Sequence, residues 1–337
     1  MSKHREYIAL IGNPNSGKTA IFNLLTGMNL KVSNYPGITV EMRRGIAHIS
    51  TENTIEIMDL PGTYSLTPES MDEKIVAQQT LRWMGGEDKP QAIISVVDAA
   101  NLSRNLYLTS QLLDLDIPII VALNMMDRVR RRKQDIDPEA LRKLLGVAAV
   151  IPMSAREKWG IVDLQEAMND IQQNTQVPSA LQLQIPNEIN SYLQPIVDFF
   201  QSQCGYSKDL ALGQALRSVT RKSAINIYQD QDILIGENIT KLHHLCNYAA
   251  SKMDTLGMSH QILEATLRYD MIDCALAENN IIIQEEVKLV SQSEKADQVL
   301  THPWMGPVIF ITLLYAIFQS IFTFASIPME FIDFPRA

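Results

Sequence analysis

The sequence of 337 residues predicts a doubly wound α/β sheet, followed by an all-α domain and one transmembrane helix. Two continuous apolar runs, at 92–98 and 118–124, are typical of parallel strands that are covered on both faces. Between them, leucines recur at helical spacing over 103–114. This alternation of strand and helix predicts a doubly wound sheet whose ligands bind at the carboxyl ends of its strands.

The remaining elements of this α/β domain follow the same order. The apolar run YIALIG predicts a buried strand, which leads through GNPNSGKT into a helix that Gly27 closes. Further strands and a last helix are predicted, in order, at 41–50, 54–58, 147–151 and 161–173. We assign residues 1–175 to this domain.

The rest of the chain divides by composition. A polar segment with two prolines at 176–187 predicts a linker. Residues 188–290 favour helix in nearly every window, without strand alternation, and Gly205 and Gly257 mark helix ends. They predict a compact helical domain, which a second linker at 291–303 follows.

The segment 304–330 is predicted to be a transmembrane helix. It carries no charged side chain before Glu330, and it exceeds the roughly 20 apolar residues that cross a bilayer. The alternative is a buried hydrophobic hairpin of a soluble domain, which an apolar stretch of this length disfavours.

Charge and cysteine usage exclude some functions. The formal net charge of −9 argues against a protein that binds nucleic acid by broad phosphate neutralisation. The three cysteines, Cys204, Cys246 and Cys274, form no CxxC pair, so neither a disulfide framework nor a zinc site is predicted. We expect all three to be buried as small hydrophobic residues.

The segment after the first strand fits the phosphate-binding pattern GxxxxGK[ST]. Its glycines allow backbone N–H groups to surround the β-phosphate, and the following helix adds its positive dipole end. Lys18 would reach the β/γ oxygens and the Thr19 hydroxyl would bind Mg²⁺. The predicted nucleotide-binding residues here are Gly12, Asn13, Pro14, Asn15, Ser16, Gly17, Lys18, Thr19 and Ala20.

Two further segments are predicted to face the metal and the γ-phosphate. Asp59-Leu60-Pro61-Gly62 ends a strand, so Asp59 can hold Mg²⁺ through water and the Gly62 N–H can contact the γ-phosphate. Thr39, in the loop that also contains Gly37 and Ile38, lies where a switch threonine meets Mg²⁺. The predicted catalytic residues are Asn15, Lys18, Thr39 and Gly62.

Two segments are predicted to recognise guanine. In Asn124-Met125-Met126-Asp127, the Asp127 carboxylate can accept from the N1–H and the 2-amino group, a donor pair that adenine lacks. Met125 supplies an apolar stem for the base, without the charge of the usual lysine. The triplet Ser154-Ala155-Arg156 follows the last strand and would place a backbone N–H near the guanine O6.

In this order and spacing, the motifs indicate a P-loop GTPase with a Ras-like fold, using Mg²⁺. Thr63 and Tyr64 follow Gly62, so the water-positioning glutamine of Ras-type proteins is missing. We therefore expect slow intrinsic hydrolysis unless a cation lies beside the β/γ-phosphates. Asn15 is placed to bind such a cation.

Along its whole length the sequence resembles FeoB, the family of bacterial ferrous-iron transporters with an N-terminal GTPase domain. The resemblance is carried by GNPNSGKT, NYPGITVE, DLPGTYSL, VVDAANLSRNLYLTSQLL, VALNMMD, LRYDMID and SEKADQVLTHPWMGPVIF. The stretch DLPGTYSL, together with NLSRNLYL, is more specific than any general GTPase motif.

The resemblance implies a helical spacer that favours the GDP-bound state, fast GDP release and hydrolysis accelerated by K⁺ bound partly at Asn15. It also implies a place in the bacterial inner membrane, with residues 1–300 in the cytoplasm. The implied partners are GTP or GDP, a FeoB-type membrane domain from the same gene or a split partner, and a small FeoA-like protein; self-association stays open. Two departures are the longer loop 154–160 and the single membrane helix, which suggests a truncated or split transporter.

Other functions remain open at this point. The basic run Arg128–Lys133 could bind RNA phosphates, as in a soluble ribosome-assembly GTPase, or lipid headgroups, or it could be a solvated surface. A nucleotide-dependent binding module without transport is a further alternative. Net acidity and the apolar 304–329 stretch favour the iron-transport hypothesis.

Overall fold

The structure is a computed structural model. It describes residues 6–27, 30–34, 41–49, 53–68, 70–173, 183, 185–284, 300 and 305–332, with some side chains left out. The chain divides into two compact units, Met1–Gln284 and Glu285–Ala337.

The first unit contains a seven-stranded sheet in the order β2-β3-β4-β1-β5-β6-β8 and a separate β7–β9 pair. The strands are β1 Tyr7–Gly12, β2 Leu30–Asn34, β3 Glu41–His48, β4 Thr54–Asp59, β5 Ala92–Asp98, β6 Ile119–Asn124, β7 Gln134–Ile136, β8 Ala149–Pro152 and β9 Ile282–Gln284. Strands β4, β1, β5, β6 and β8 are parallel, whereas β2 and β3 pair antiparallel at one edge.

The helices of the described residues lie around this sheet and in the second half of the chain. They are α1 Lys18–Thr26, α2 Met71–Met84, α3 Leu102–Leu112, α4 Met126–Arg131, α5 Pro138–Leu145, α6 Ile161–Gln173, α7 Asn187–Cys204, α8 Lys208–Thr220, α9 Lys222–Asp230, α10 Glu237–Thr255, α11 Leu263–Glu278 and α12 Met305–Ile332.

The sheet is buried on both faces, as its apolar runs predict. Every residue of β1, β5 and β6 is buried. Because successive side chains of a strand point to opposite faces, Ile8 and Leu10 pack with α1 and α6, while Ala9 and Ile11 join the core that extends into α7–α11. The helical domain therefore packs on one face of the sheet.

The order of the sheet creates a ligand position beyond β1. Strand β1 lies between β4 and β5, and Leu10 is in register with Asp59. The chain leaves β1 through α1 on one face of the sheet and leaves β4 through α2 on the other face, so a crevice forms at the carboxyl ends of these strands. Gly12, Asp59 and Asp98 end the three adjacent strands at this edge.

The helical domain differs from its prediction at its C-terminal end. Gly205 and Gly257 follow α7 and α10 with φ values of 69° and 78°, which confirms them as helix ends. However, Ile282–Gln284 is a strand, paired antiparallel with Gln134–Ile136. The prediction that residues 188–290 are helical was therefore wrong at 282–284. A three-residue strand is too short to show an alternating pattern in the sequence.

The cysteines also differ from expectation. Cys246 is buried and Cys204 is half-buried, but Cys274 is exposed on α11. The expectation of three buried cysteines was wrong for Cys274, which lies on the side of its helix away from the core.

The second unit contains helix α12, Met305–Ile332, over the segment predicted at 304–330. Among the described residues, no helix combines the length and the apolar character that a membrane span requires. Side chains from 320 onward lie outside the described residues. The transmembrane assignment stays a prediction. Most of both predicted linkers also lies outside the described residues.

Candidate functional site

The phosphate-binding segment connects the buried end of β1 to the start of α1. Helix α1 begins at Lys18, and its N-cap Gly17 provides no side chain to bond the first N–H groups. Those N–H groups and the positive end of the helix dipole therefore point toward the crevice beyond β1. This arrangement favours an anion at the start of α1.

Two glycines of this segment are required by geometry. A Cβ on Gly12 would lie 2.7 Å from the carbonyl oxygen of Val96. Gly17 has a φ of +91°, and a Cβ there would lie 2.1 Å from Nδ2 of Asn124. Only glycine allows β1, α1 and Asn124 to approach so closely.

The crevice has a volume of about 520 Å³. It is lined by Asn13, Pro14, Asn15, Gly17, Lys18, Thr19, Ala20 and Gly62. In the described part of the chain, the buried Asn13 Oδ1 and Ser16 Oγ atoms have no hydrogen-bond partner. Since unpaired buried polar atoms are costly, this segment is built for a polar ligand.

Lys18 and Asp59 form a buried ion pair across the crevice. Burial raises the pKa of Asp59, and the Lys18 ammonium opposes that rise. Thr19 is exposed beside them. A carboxylate and a hydroxyl are oxygen ligands that suit Mg²⁺, so the described residues fit this ion.

The segment after Asp59 lies directly on the phosphate-binding loop. Leu60 N–H donates to the Leu10 carbonyl at 3.1 Å, and Thr63 N–H donates to the Gly12 carbonyl at 3.2 Å. A Cβ on Gly62 would lie 3.2 Å from Pro14. Gly62 is thus brought to the crevice as predicted, and Pro61 between these contacts is half-buried.

Asn124 joins the phosphate-binding loop to the second guanine segment. Its Nδ2 donates to the Ser16 carbonyl at 2.8 Å, and its Oδ1 accepts from the Ala155 N–H at 2.9 Å. The Ala155 N–H, which was predicted near the guanine O6, thus already has a partner in the protein. Met125 adopts a φ of 64° and is half-buried.

Asp127 is held by the loop that follows β8. The Ser154 hydroxyl donates to Asp127 Oδ1 at 3.0 Å, and both residues are buried. Arg156 is exposed. The structure therefore brings Asn124, Asp127, Ser154 and Ala155 together at the same edge of the sheet as the phosphate-binding loop.

The loop with Gly37, Ile38 and Thr39 lies outside the described residues. The assignment of Thr39 to Mg²⁺ and the γ-phosphate stays a prediction.

Sequence reasoning missed several side chains around the site. Gln111 connects the segment after Gly62 to the helical domain, and Arg130 and Trp159 stack at the base-binding edge. Gln111 lies in the stretch VVDAANLSRNLYLTSQLL and Arg130 lies in the basic run, but the sequence did not indicate these roles, because they depend on contacts between distant parts of the chain.

The model of the family "Ferrous iron transport protein B" matches residues 6–168. The solved cytosolic domain of FeoB from Legionella pneumophila is 34% identical, with a TM-score of 0.68, and the match covers 82% of this chain and 100% of that one. The chain belongs to the ferrous iron transport protein B family.

Further FeoB relatives also match most of this chain. FeoB from S. thermophilus, solved bound to GDP.AlF4⁻ and K⁺, is 30% identical with a TM-score of 0.63, over 80% of this chain and 98% of that one. The curated L. pneumophila (strain Paris) transporter FeoB is 34% identical over 96% of this chain and 40% of its own length. A Porphyromonas gingivalis fusion of Fe(2+) transport protein A with FeoB is 31% identical over 97% of this chain and 38% of its own length.

The chain thus spans about two fifths of the length of these curated FeoB relatives. The predicted resemblance and the P-loop GTPase fold followed by a helical region are confirmed. The comparisons favour the iron-transport family over the ribosome-assembly alternative.

Proposed function

We propose that this chain binds GTP, hydrolyses it slowly and thereby regulates ferrous-iron import. The observation that carries the proposal is the pair of hydrogen bonds of the Asn124 side chain, whose Nδ2 donates to the Ser16 carbonyl of the phosphate-binding loop and whose Oδ1 accepts from the Ala155 N–H of the base-binding loop. One amide thus fixes the spacing between a site for phosphates and a site for guanine.

The phosphate side would work through charge. The free N–H groups at the start of α1 and the Lys18 ammonium bind the phosphate oxygens, for which Lys18 leaves its ion pair with Asp59. Asp59 and Thr19, with Thr39, would hold Mg²⁺, which neutralises charge that develops on the phosphates. The Gly62 N–H would contact the γ-phosphate.

The base side would select guanine. Asp127 accepts from two donors of guanine, while the 3.0 Å hydrogen bond from the Ser154 hydroxyl fixes the orientation of the Asp127 carboxylate. Met125 would cover the base, and Arg156 follows Ala155 in the base-binding loop. Adenine would leave the buried carboxylate without its partners, so we expect strong discrimination.

A monovalent cation would supply the missing transition-state charge. The FeoB relative from S. thermophilus was solved with GDP.AlF4⁻ and K⁺. In this chain Asn15 lines the phosphate crevice, is exposed and has a φ of 64°. We infer that Asn15 binds K⁺ beside the β/γ-phosphates.

The transport role rests on the family. We propose that residues 1–300 face the cytoplasm of a bacterial inner membrane and act with a FeoB-type membrane domain. The P. gingivalis relative is a fusion with Fe(2+) transport protein A, which supports a small FeoA-like partner. A helical domain of 188–290 that favours the GDP-bound state, and self-association, belong to the same proposal.

The test is ferrous-iron uptake in the native host, in a strain without other ferrous importers. Wild type is compared with a deletion, with Lys18→Ala and with Lys222→Ala, a matched change of an exposed lysine. We expect the deletion and Lys18→Ala to lose uptake while Lys222→Ala retains it. Uptake that persists in the deletion would overturn the iron role, and normal GTP affinity of purified Lys18→Ala would overturn the site.

A further inference from the structure

The loop 154–160 is a closed turn. Ser154 and Trp159 form an antiparallel bridge, with N···O distances of 3.2 and 3.3 Å between their main chains. Gly160 has a φ of +81°, and a Cβ there would lie 2.6 Å from Met153 Cβ. The turn therefore has a defined shape and packs against the end of β8.

Helix α4 holds this turn through two successive arginines. The Arg130 guanidinium lies 4.4 Å from the centre of the Trp159 ring. Arg131 lies 3.6 Å from Glu157 and 3.7 Å from Asp127. One arginine thus stacks on the end of the turn, while the next bridges its middle to the guanine-reading carboxylate.

The same turn fixes both guanine-reading side chains. Ser154 donates to Asp127, and Ala155 donates to Asn124. If the turn moved away from α4, both bonds would break and the base site would lose its shape. A bound nucleotide would then leave more easily.

We propose that Arg130 and Arg131 are positioning residues that hold the turn 154–160 closed and slow the release of guanine nucleotide. This inference rests on the proposed binding of GTP and GDP by the same site. The proposal assigns two arginines of the basic run 128–133 a role within the protein. From the sequence alone, the run could contact RNA, lipid headgroups or solvent.

The basic run also contains a matched control. Arg132 belongs to the same run and is exposed, but it donates to the Ala100 carbonyl at 3.3 Å, away from the turn. Removing Arg132 changes the net charge of the chain as much as removing Arg130 or Arg131 does. A general charge effect on nucleotide binding would therefore be equal in all three variants.

The experiment measures release of a fluorescent GDP from the full chain, kept in mild detergent, by stopped-flow displacement with excess GDP. Because Arg130 and Arg131 are exposed and water weakens their contacts, we expect Arg130→Ala, Arg131→Ala and Trp159→Ala each to speed release by about three- to tenfold. The association rate constant should change by less than about twofold, since most such effects fall on the dissociation rate constant. Arg132→Ala should release GDP like wild type.

Charge reversal separates positioning from simple structural damage. Arg131→Glu places a like charge beside Glu157 and Asp127 and should speed release further. Trp159→Phe keeps an aromatic face and should stay near wild type. The variants Arg130→Ala, Arg131→Ala and Arg132→Ala should retain the melting temperature of the nucleotide-free wild type, because these three side chains are exposed.

Equal release rates for Arg130→Ala, Arg131→Ala and Arg132→Ala would overturn the proposal. So would faster release that follows a matching loss of melting temperature, because that result indicates general destabilisation. Wild type that does not bind GDP at all would instead overturn the proposed function.

Discussion

The side-chain amide of Gln111 donates a 2.8 Å hydrogen bond to Glu264, although 153 positions separate the two residues. On its other side, Gln111 Oε1 accepts from the Leu66 N–H, also at 2.8 Å. Leu66 lies four residues after Gly62, and Glu264 lies in helix α11 of the helical domain. One buried glutamine therefore connects the nucleotide site to the helical domain.

Glu264 belongs to a buried network of balanced charge. Arg268 donates to Glu264 at 3.0 Å and to Asp114 at 2.6 Å, and Arg217 lies 3.2 Å from Asp114. Two arginines and two carboxylates thus neutralise one another between α8, α11 and the segment Leu113–Leu115 that follows α3. Such a network stabilises one arrangement strongly and tolerates the loss of a member poorly.

Gln111→Leu should destabilise the first unit by about 1–3 kcal/mol, because the Leu66 N–H and Glu264 both lose a buried partner. Urea unfolding monitored by the fluorescence of the buried Trp83 measures the change. The matched change Gln194→Leu, on an exposed face of α7, should stay within about 0.5 kcal/mol. Equal stability of the two variants would show that the Gln111 bonds contribute nothing.

Arg268→Met should cost about 3–5 kcal/mol, because Glu264 and Asp114 both lose the buried cation that they contact. Adding Glu264→Gln should recover part of the loss, since it removes the one excess negative charge that remains when only Arg217 balances the two carboxylates. The same urea experiment measures both, with the exposed Arg156→Met as control. A double variant that is less stable than Arg268→Met alone would contradict the charge argument.

The sequence predicts those elements whose patterns are local. Strands β5 and β6 are continuous apolar runs, and the phosphate-binding motif determines the loop between β1 and α1. By contrast, β7 and β9 have three residues each and are defined by pairing across the chain. In the sequence, Gln111 is likewise an ordinary helical glutamine, because its partners Leu66 and Glu264 are distant along the chain. Long-range polar contacts leave no periodic signal in the sequence.

Asp127→Asn should weaken GDP binding by roughly 30-fold or more, because a carboxylate that accepts from two donors is lost. The amide should instead favour xanthine nucleotides, whose 2-carbonyl accepts where guanine has an amino group. Competition between GDP and XDP for the site measures the reversal, with the exposed Asp163→Asn as control. Unchanged preference for GDP would remove Asp127 from the base site.

The three thiols should differ in reactivity at pH 8. Burial raises the pKa of Cys246 to about 12 and that of Cys204 to about 11, so both stay protonated and react slowly. Titration with Ellman's reagent should find one fast thiol in the native chain and three in guanidinium chloride. Cys274→Ser should remove the fast phase and Cys246→Ser should keep it. Two fast native thiols would contradict the burial of Cys204 or Cys246.

Gly17→Ala should impair both halves of the nucleotide site at once. Its Cβ would displace Asn124, whose amide holds Ser16 on one side and Ala155 on the other. Gly27→Ala is the matched control, because Gly27 also has a positive φ, at the other end of α1, but a Cβ there meets nothing within 4 Å.

Backbone strain should lower the free energy of unfolding of both variants by about 1–3 kcal/mol. Only Gly17→Ala should also lose GTP affinity. Calorimetric titration of GTP, next to urea unfolding of the same samples, separates the two effects. If both variants bind GTP equally well, Asn124 does not join the phosphate and guanine sites. A selective loss in Gly17→Ala means that the close approach of α1 to Asn124 sets the distance between them.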